Sequence, residues 1–159
     1  MPPIFIPNEG GPIDFSQQEV IQPDEDGLAA IGANFHPQTL LNAYSSGLFP
    51  WYISEGCPFW YCPDPRMVLF PADLKISSSM RAVFNKKKFS FSSDTAFNQV
   101  IQQCATVVRK GDRTTWIDSH FIQAYNVLHK HGYAHSFECW HESHLVGRSE
   151  EHTSELQSQ

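Results

Sequence analysis

Residues 135–147 read HSFECWHESHLVG, and how they fold decides the class of the protein. His135 to His141 carry Phe, Cys and Trp with no Gly or Pro, as a strand does. Glu142, Ser143 and His144 can turn that strand back into Leu145-Val146-Gly147, an antiparallel hairpin. Working outward, Phe121, Ile122, Tyr125 and Leu128 recur at helical spacing after Asp118, a good helix cap, and Gly132 supplies the stop. Phe97, Val100, Ile101 and Cys104 form the i, i+3, i+4, i+7 stripe of a second amphipathic helix, for which Asp94 is the expected cap. Earlier still, KFSFSS (88–93) reads as a strand and SSSMRAVFNKK (77–87) as a short helix capped by Ser77 or Ser78. The order helix–strand–helix–helix–strand–hairpin predicts an α+β domain with its helices grouped before an antiparallel sheet.

The N-terminal half has a different texture. Its first 26 residues are rich in Pro, Gly and acid and are expected to be irregular. PQTLLNAYSSG (37–47) predicts a helix, with Pro37 in the first turn, Leu40, Leu41 and Tyr44 on one face, and Gly47 just past the end. Residues 48–71, LFPWYISEGCPFWYCPDPRMVLFP, then hold five prolines and seven aromatics. That density of Pro excludes a regular helix or a central strand, so loops and edge strands are expected. Their aromatics must either form a core or line a pocket.

At 159 residues, 41% hydrophobic and 13% aromatic, the chain can build a packed core. No apolar run approaches the ~18 residues of a membrane span, and MPPIFIPNEGG lacks the basic and apolar regions of a secretory signal. The expectation is a cytoplasmic protein with no membrane partner. Cys57, Cys62, Cys104 and Cys139 form no CxxC pair, so reduced thiols are expected. His129, His131, His135, His141 and His144 show neither HExxH nor finger spacing, and no metal is expected.

The net charge of −6 conceals a segregation. Residues 1–74 hold nine acidic residues against Arg66, whereas residues 75–113 hold eight basic residues against Asp94 and Asp112. Such a basic block can be the footprint of a polyanion, or simply a solvated face. Two tryptophans lie where a base could be held. Trp51 follows Pro50 in FPWY, and Trp116 stands in TTWID between the basic loop and a helix cap. Exposed indoles near cations can stack nucleobases, although by residue type alone a tryptophan is more often mostly buried. Trp60, Tyr61 and Trp140 read as core. In Pro63-Asp64-Pro65-Arg66, an Asp–Arg clamp setting the turn is favoured over catalysis. No Ser/Cys–His–Asp set, carboxylate pair or Gly-rich phosphate loop is identifiable.

Taken in order, DGLAAIG (26–32), LLNAYSSGLFPWY (40–52), FWYCPDPRMVLFP (59–71), TWID (115–118), GYAHSFECW (132–140) and HLVG (144–147) resemble the bacterial leucyl/phenylalanyl-tRNA–protein transferases. The resemblance spans about residues 26–147. It implies an enzyme that moves Leu or Phe from aminoacyl-tRNA to the N-terminal Arg or Lys of an acceptor protein, marking it for degradation by the N-end rule. It implies no cofactor and a monomer. By resemblance the chain is α+β, with a small N-terminal domain over 1–66 and the first half of a GCN5-type N-acetyltransferase-like domain over 67–147, truncated within its sheet. The family's two adenosine-holding tryptophans match Trp51 and Trp116, which reverses the burial expected from residue type. Its tRNA-facing basic helix falls in the region of Arg81, Lys86, Lys87 and Lys88, where the match is loose. The chain reads Gly32-Ala33-Asn34-Phe35 for the usual GGDL and Trp60-Tyr61-Cys62 for the usual WWS.

The family's catalytic Glu, in a GESMF-type strand, and its DCQ-type pair occur nowhere in the sequence. No catalytic residue is therefore assigned, and the fragment is expected to be inactive. The closing residues Arg148–Ser158, RSEEHTSELQS, resemble a translated sequencing adapter. Residues 148–159 are accordingly expected to form a disordered, non-native tail, and its Glu150, Glu151, Glu155 and His152 are not candidates. The alternative is a non-catalytic RNA-binding module using residues 75–113. An acetyl-CoA-dependent enzyme would need a pyrophosphate loop that is not seen before residue 147.

Overall fold

The structure, a computed structural model, describes residues 3–17, 21–106 and 117–152. Over these residues it is a mixed α+β fold of two sheets and four α-helices. Two segments of the acidic N-terminal stretch are regular: strand β1 (Ile4–Ile6) and a 3-10 turn at Phe15–Gln17. Helix α1 (Pro37–Ser45) starts on its proline, with the His36 ring accepting from the Gln38 N–H at 3.2 Å. It buries Leu40, Ala43 and Tyr44, and the chain leaves it through Gly47 at φ +78°.

The first sheet has the order β1, β2 (Leu28–Gly32), β4 (Cys57–Tyr61), β3 (Phe49–Ser54), with β1 parallel to β2 and the rest antiparallel. The aromatic- and proline-rich stretch is thus a hairpin, and β4 is an interior strand rather than the edge strand expected. Pro58 is tolerated because β2 pairs only with Phe59, Trp60 and Tyr61, so no ladder bond to β2 is asked of its missing N–H. Pro50 sits in β3, which is an edge. At Gly32 (φ +99°) the chain crosses β1 so closely that a Cβ would lie 2.2 Å from the Ile6 carbonyl oxygen.

Residues 62–77 lead to helix α2 (Ser78–Asn85), capped by the Ser77 hydroxyl accepting from the Met80 N–H at 3.2 Å. Met67, Val68, Leu69 and Phe70 are exposed, and α2 buries none of its residues. The second sheet is antiparallel in the order β5 (Ser90–Ser93), β6 (Ala134–His141), β7 (His144–His152). Helices α3 (Phe97–Thr106) and α4 (Ser119–Lys130) cover the face that carries Ala134, Ser136 and Glu138. Phe91 and Phe137 point out of the opposite face and are exposed. Asp118 caps α4 through the Phe121 N–H at 2.8 Å, and Phe121, Tyr125 and Leu128 are buried as their spacing requires.

One core runs through both sheets. Trp60 packs on Phe15 (ring centroids 4.9 Å apart) and Phe35 (6.2 Å), Phe35 meets Phe121 edge-on (5.8 Å), and the hydroxyls of Tyr44 and Tyr125 are hydrogen-bonded. Two expectations are corrected. Asp94 does not cap α3: at φ +58° its carboxylate accepts from the Ser136 N–H (2.9 Å) and pairs with the His135 ring (2.8 Å). Residues 148–152 are not outside the fold, since they extend β7 with Arg148 opposite Glu138 and His152 opposite Ala134. Strand pairing is made by backbone groups, so β6 can recruit the next five residues whatever their side chains. Residues 153–159 lie outside the described part.

Candidate nucleic-acid interface

Among the described residues, one open aromatic surface belongs to the β3–β4 hairpin. Pro50 lies opposite Trp60 and Tyr52 opposite Phe59, which leaves Trp51 as an extra residue with no cross-strand partner. This is a β-bulge, the device by which a strand re-aims one side chain. Its consequence is that two consecutive residues, Trp51 and Tyr52, join one aromatic cluster. The Trp51 indole meets Tyr61 edge-to-face (5.0 Å, 64°) and Phe49 at 6.1 Å. Tyr52 stacks on Phe59 (4.6 Å, 17°) and reaches Tyr61 at 6.1 Å.

Burial separates the two tryptophans of this hairpin. Trp60 is fully buried and donates its indole N–H to the Gly32 carbonyl at 2.8 Å, whereas Trp51 is 50% exposed. An indole with half its surface open has the face that base stacking requires. The cluster has a firm base beneath it. The Arg66 guanidinium lies over the Phe49 ring, 5.2 Å from its centre, and donates to the Gly47 carbonyl at 3.1 Å. Arg66 of the PDPR turn therefore ties the end of α1 to the hairpin. Burial, followed by a hydrogen bond with Tyr52 and the carboxylates of Asp24 and Asp26, pushes the Tyr61 phenol up to about 12, so it stays protonated at physiological pH.

Trp116 falls outside the described residues, as do Arg109, Lys110 and Arg113 of the basic block. Ile117, which follows Trp116, is buried in the core. Arg81, Lys86, Lys87 and Lys88 are exposed on α2 and just past its end, with the Lys88 ammonium 5.9 Å from the centre of the Phe89 ring. Trp140, expected in the core, is half-buried and donates its indole N–H to the Ser92 hydroxyl at 2.8 Å.

The largest buried polar group is one that spacing does not reveal. Glu138 is 2% exposed on β6, and its carboxylate accepts from the hydroxyls of Ser136, Ser92 and Thr95 and from the Ala96 N–H. Burial pushes this carboxyl up, but the four donors outweigh it and hold it below the usual carboxylate range. Burial also opposes ionisation of Asp94, and His135 and the Ser136 N–H likewise bring it below that range. The described residues contain no group of three or more His, Cys, Asp and Glu able to hold a metal, and no helix long and apolar enough to cross a membrane.

Two family models match the chain. One, described as leucyl/phenylalanyl-tRNA protein transferase, matches residues 68–149, and one for that enzyme's N-terminal domain matches residues 33–64. Curated proteins similar to the chain carry the name leucyl/phenylalanyl-tRNA–protein transferase. The protein of Syntrophobacter fumaroxidans is 51% identical over 124 residues, which is 78% of this chain and 53% of the relative. That of Flavobacterium johnsoniae is 47% identical over 129 residues, 80% and 60% of the two chains. The Shewanella loihica protein is 43% identical over 133 residues, 84% and 56%. The chain therefore spans little more than half the length of the curated relatives it matches. Over that span, from the aromatic hairpin through the second sheet, it belongs to the leucyl/phenylalanyl-tRNA protein transferase family.

Proposed function

We propose that the protein takes part in the transfer of Leu or Phe from aminoacyl-tRNA to the N-terminal Arg or Lys of an acceptor protein, and that this chain supplies the seat for the tRNA's 3′ end. In this reading the terminal adenosine stacks on Trp51, with Trp116 as a second ring. Arg81, Lys86, Lys87 and Lys88 meet phosphates further along the RNA. The observation that carries the reading is the half-open indole of Trp51, raised by a bulge from an aromatic sheet face in a chain of this family. The GCN5-type character of residues 67–147, the division at residue 66, a cytoplasmic location and a monomeric state belong to the same proposal.

The chemistry asks little more than positioning from the protein. An aminoacyl ester is already activated, and an α-amino group with a pKa near ~8 is partly neutral at pH 7. Holding amine and ester together and stabilising the developing oxyanion accounts for most of the acceleration such a reaction needs. Fixing the adenosine on a rigid hairpin supplies the first of these, because the ester is attached to that nucleoside's ribose. The sequence holds neither a GESMF nor a DCQ motif, so the test is binding rather than turnover.

Affinity of residues 1–159 for an aminoacyl-adenosine should fall by about 5- to 150-fold in Trp51→Ala and in Trp116→Ala, the ~1–3 kcal/mol of one lost base stack. Unchanged affinity in both variants refutes the seat. RNA binding that survives loss of both rings but collapses with salt would instead favour a module working through its basic block.

A further inference from the structure

We infer that Tyr61 is a positioning residue for the Trp51 platform: its ring holds the indole edge-on, so that the open face of the indole is presented to an incoming base. The inference rests on the stacking reading above and adds to it the group that makes stacking productive. A bulged residue lacks the cross-strand neighbour that ordinarily fixes a side chain on a sheet. For Trp51 that work falls to rings, and among the described residues two meet it. Phe49 is 7% exposed and pinned under the Arg66 guanidinium, so it forms a floor. Tyr61 stands beside the indole at 5.0 Å and 64°.

Tyr61 has a second ring neighbour in Tyr52, at 6.1 Å, whose own ring stacks on Phe59. The four rings Phe59, Tyr52, Tyr61 and Trp51 thus form a relay across the hairpin, ending at the open indole. An edge-to-face pair contributes beyond its buried area, and a free indole would also have to be immobilised when the base arrives. Together these correspond to a loss of roughly 5- to 150-fold in affinity when the Tyr61 ring is removed.

A double-mutant cycle on the 159-residue chain tests this, with an aminoacyl-adenosine as ligand and thermal melting as the check on folding. Tyr61→Leu should weaken binding at least about 5-fold, Tyr61→Phe should keep most of the affinity, and Tyr61→Leu should have no further effect in a Trp51→Ala background. The fluorescence of Trp51, isolated by subtracting Trp51→Phe, should become more accessible to iodide in Tyr61→Leu. Should Trp51→Ala itself bind like the unsubstituted chain, or that chain fail to bind, the stacking reading falls and the inference falls with it. Should Trp51→Ala weaken binding while Tyr61→Leu is silent, or equally harmful in both backgrounds, the positioning role alone is overturned.

Discussion

Replacing Glu138 tests how the second sheet is joined to α3. Its carboxylate is 2% exposed and takes hydrogen bonds from Ser92 and Ser136 at 2.5 Å, Thr95 at 3.0 Å and the Ala96 N–H at 3.3 Å. In Glu138→Ala these donors are not equally stranded. The Ser92 and Thr95 hydroxyls lie 2.7 Å apart and can satisfy each other, and Ser92 still accepts from Trp140. The Ser136 hydroxyl and the Ala96 N–H have no such recourse. The stranded Ser136 hydroxyl, which is buried, costs about 1–3 kcal/mol and the part-buried Ala96 N–H at most as much again, which predicts a loss of about 1–6 kcal/mol. Glu138→Gln keeps the shape and one acceptor oxygen, and should lose only about half as much. Denaturant unfolding followed by circular dichroism measures both. An Ala variant within about 0.5 kcal/mol of the parent, the range of an inert surface change, refutes the reasoning.

The pH dependence of the same site has a definite sign. The folded-state pKa of Glu138 is lowered from the ordinary 4.5, so the folded protein binds this proton less readily than the unfolded chain. Its contribution is fully present above pH 4.5 and is lost as the pH falls through the lower folded value. The gap between parent and Glu138→Gln should therefore be widest near neutrality and narrow in acid. A gap that widens as the pH falls below 4.5 contradicts the assignment.

Gly32→Ala should cost at least about 3 kcal/mol by the same unfolding assay, since the new Cβ meets the Ile6 carbonyl oxygen at 2.2 Å and φ is +99°. A loss below about 1 kcal/mol would mean that β1 is not held against β2 as described. Lys86, Lys87 and Lys88 changed together to Ala should flatten the salt dependence of tRNA binding, by roughly 0.7 in log–log slope for each single-strand phosphate that is no longer neutralised. An unchanged slope removes the end of α2 from the RNA path.

Local chemistry made much of this protein legible from its residues. Pro37 and Gly47 bracket α1, Asp118 caps α4, Ser77 caps α2, and the stripes at Phe97, Val100, Ile101 and at Phe121, Tyr125, Leu128 are buried. Each is an interaction between residues a few positions apart, and so is written in their spacing. The alternating FECW run likewise forms β6. The quoted motifs pointed to the family, which the matches over residues 33–64 and 68–149 bear out.

What spacing could not decide depends on partners far along the chain. Asp94 is well placed by sequence to cap α3, yet it turns to β6, and the donors before α3 go to Glu138, more than forty residues later. Trp51 and Trp60 are the same residue type nine positions apart in one proline-rich stretch. Only the pairing of β3 with β4, and the bulge within it, drives one indole fully into the core and leaves the other half in solvent. A β-bulge is a mismatch between two strands, so no property of either strand alone contains it. The sequence determines that these aromatics exist and that the backbone is restricted around them. The register of the hairpin decides which of them can meet a base.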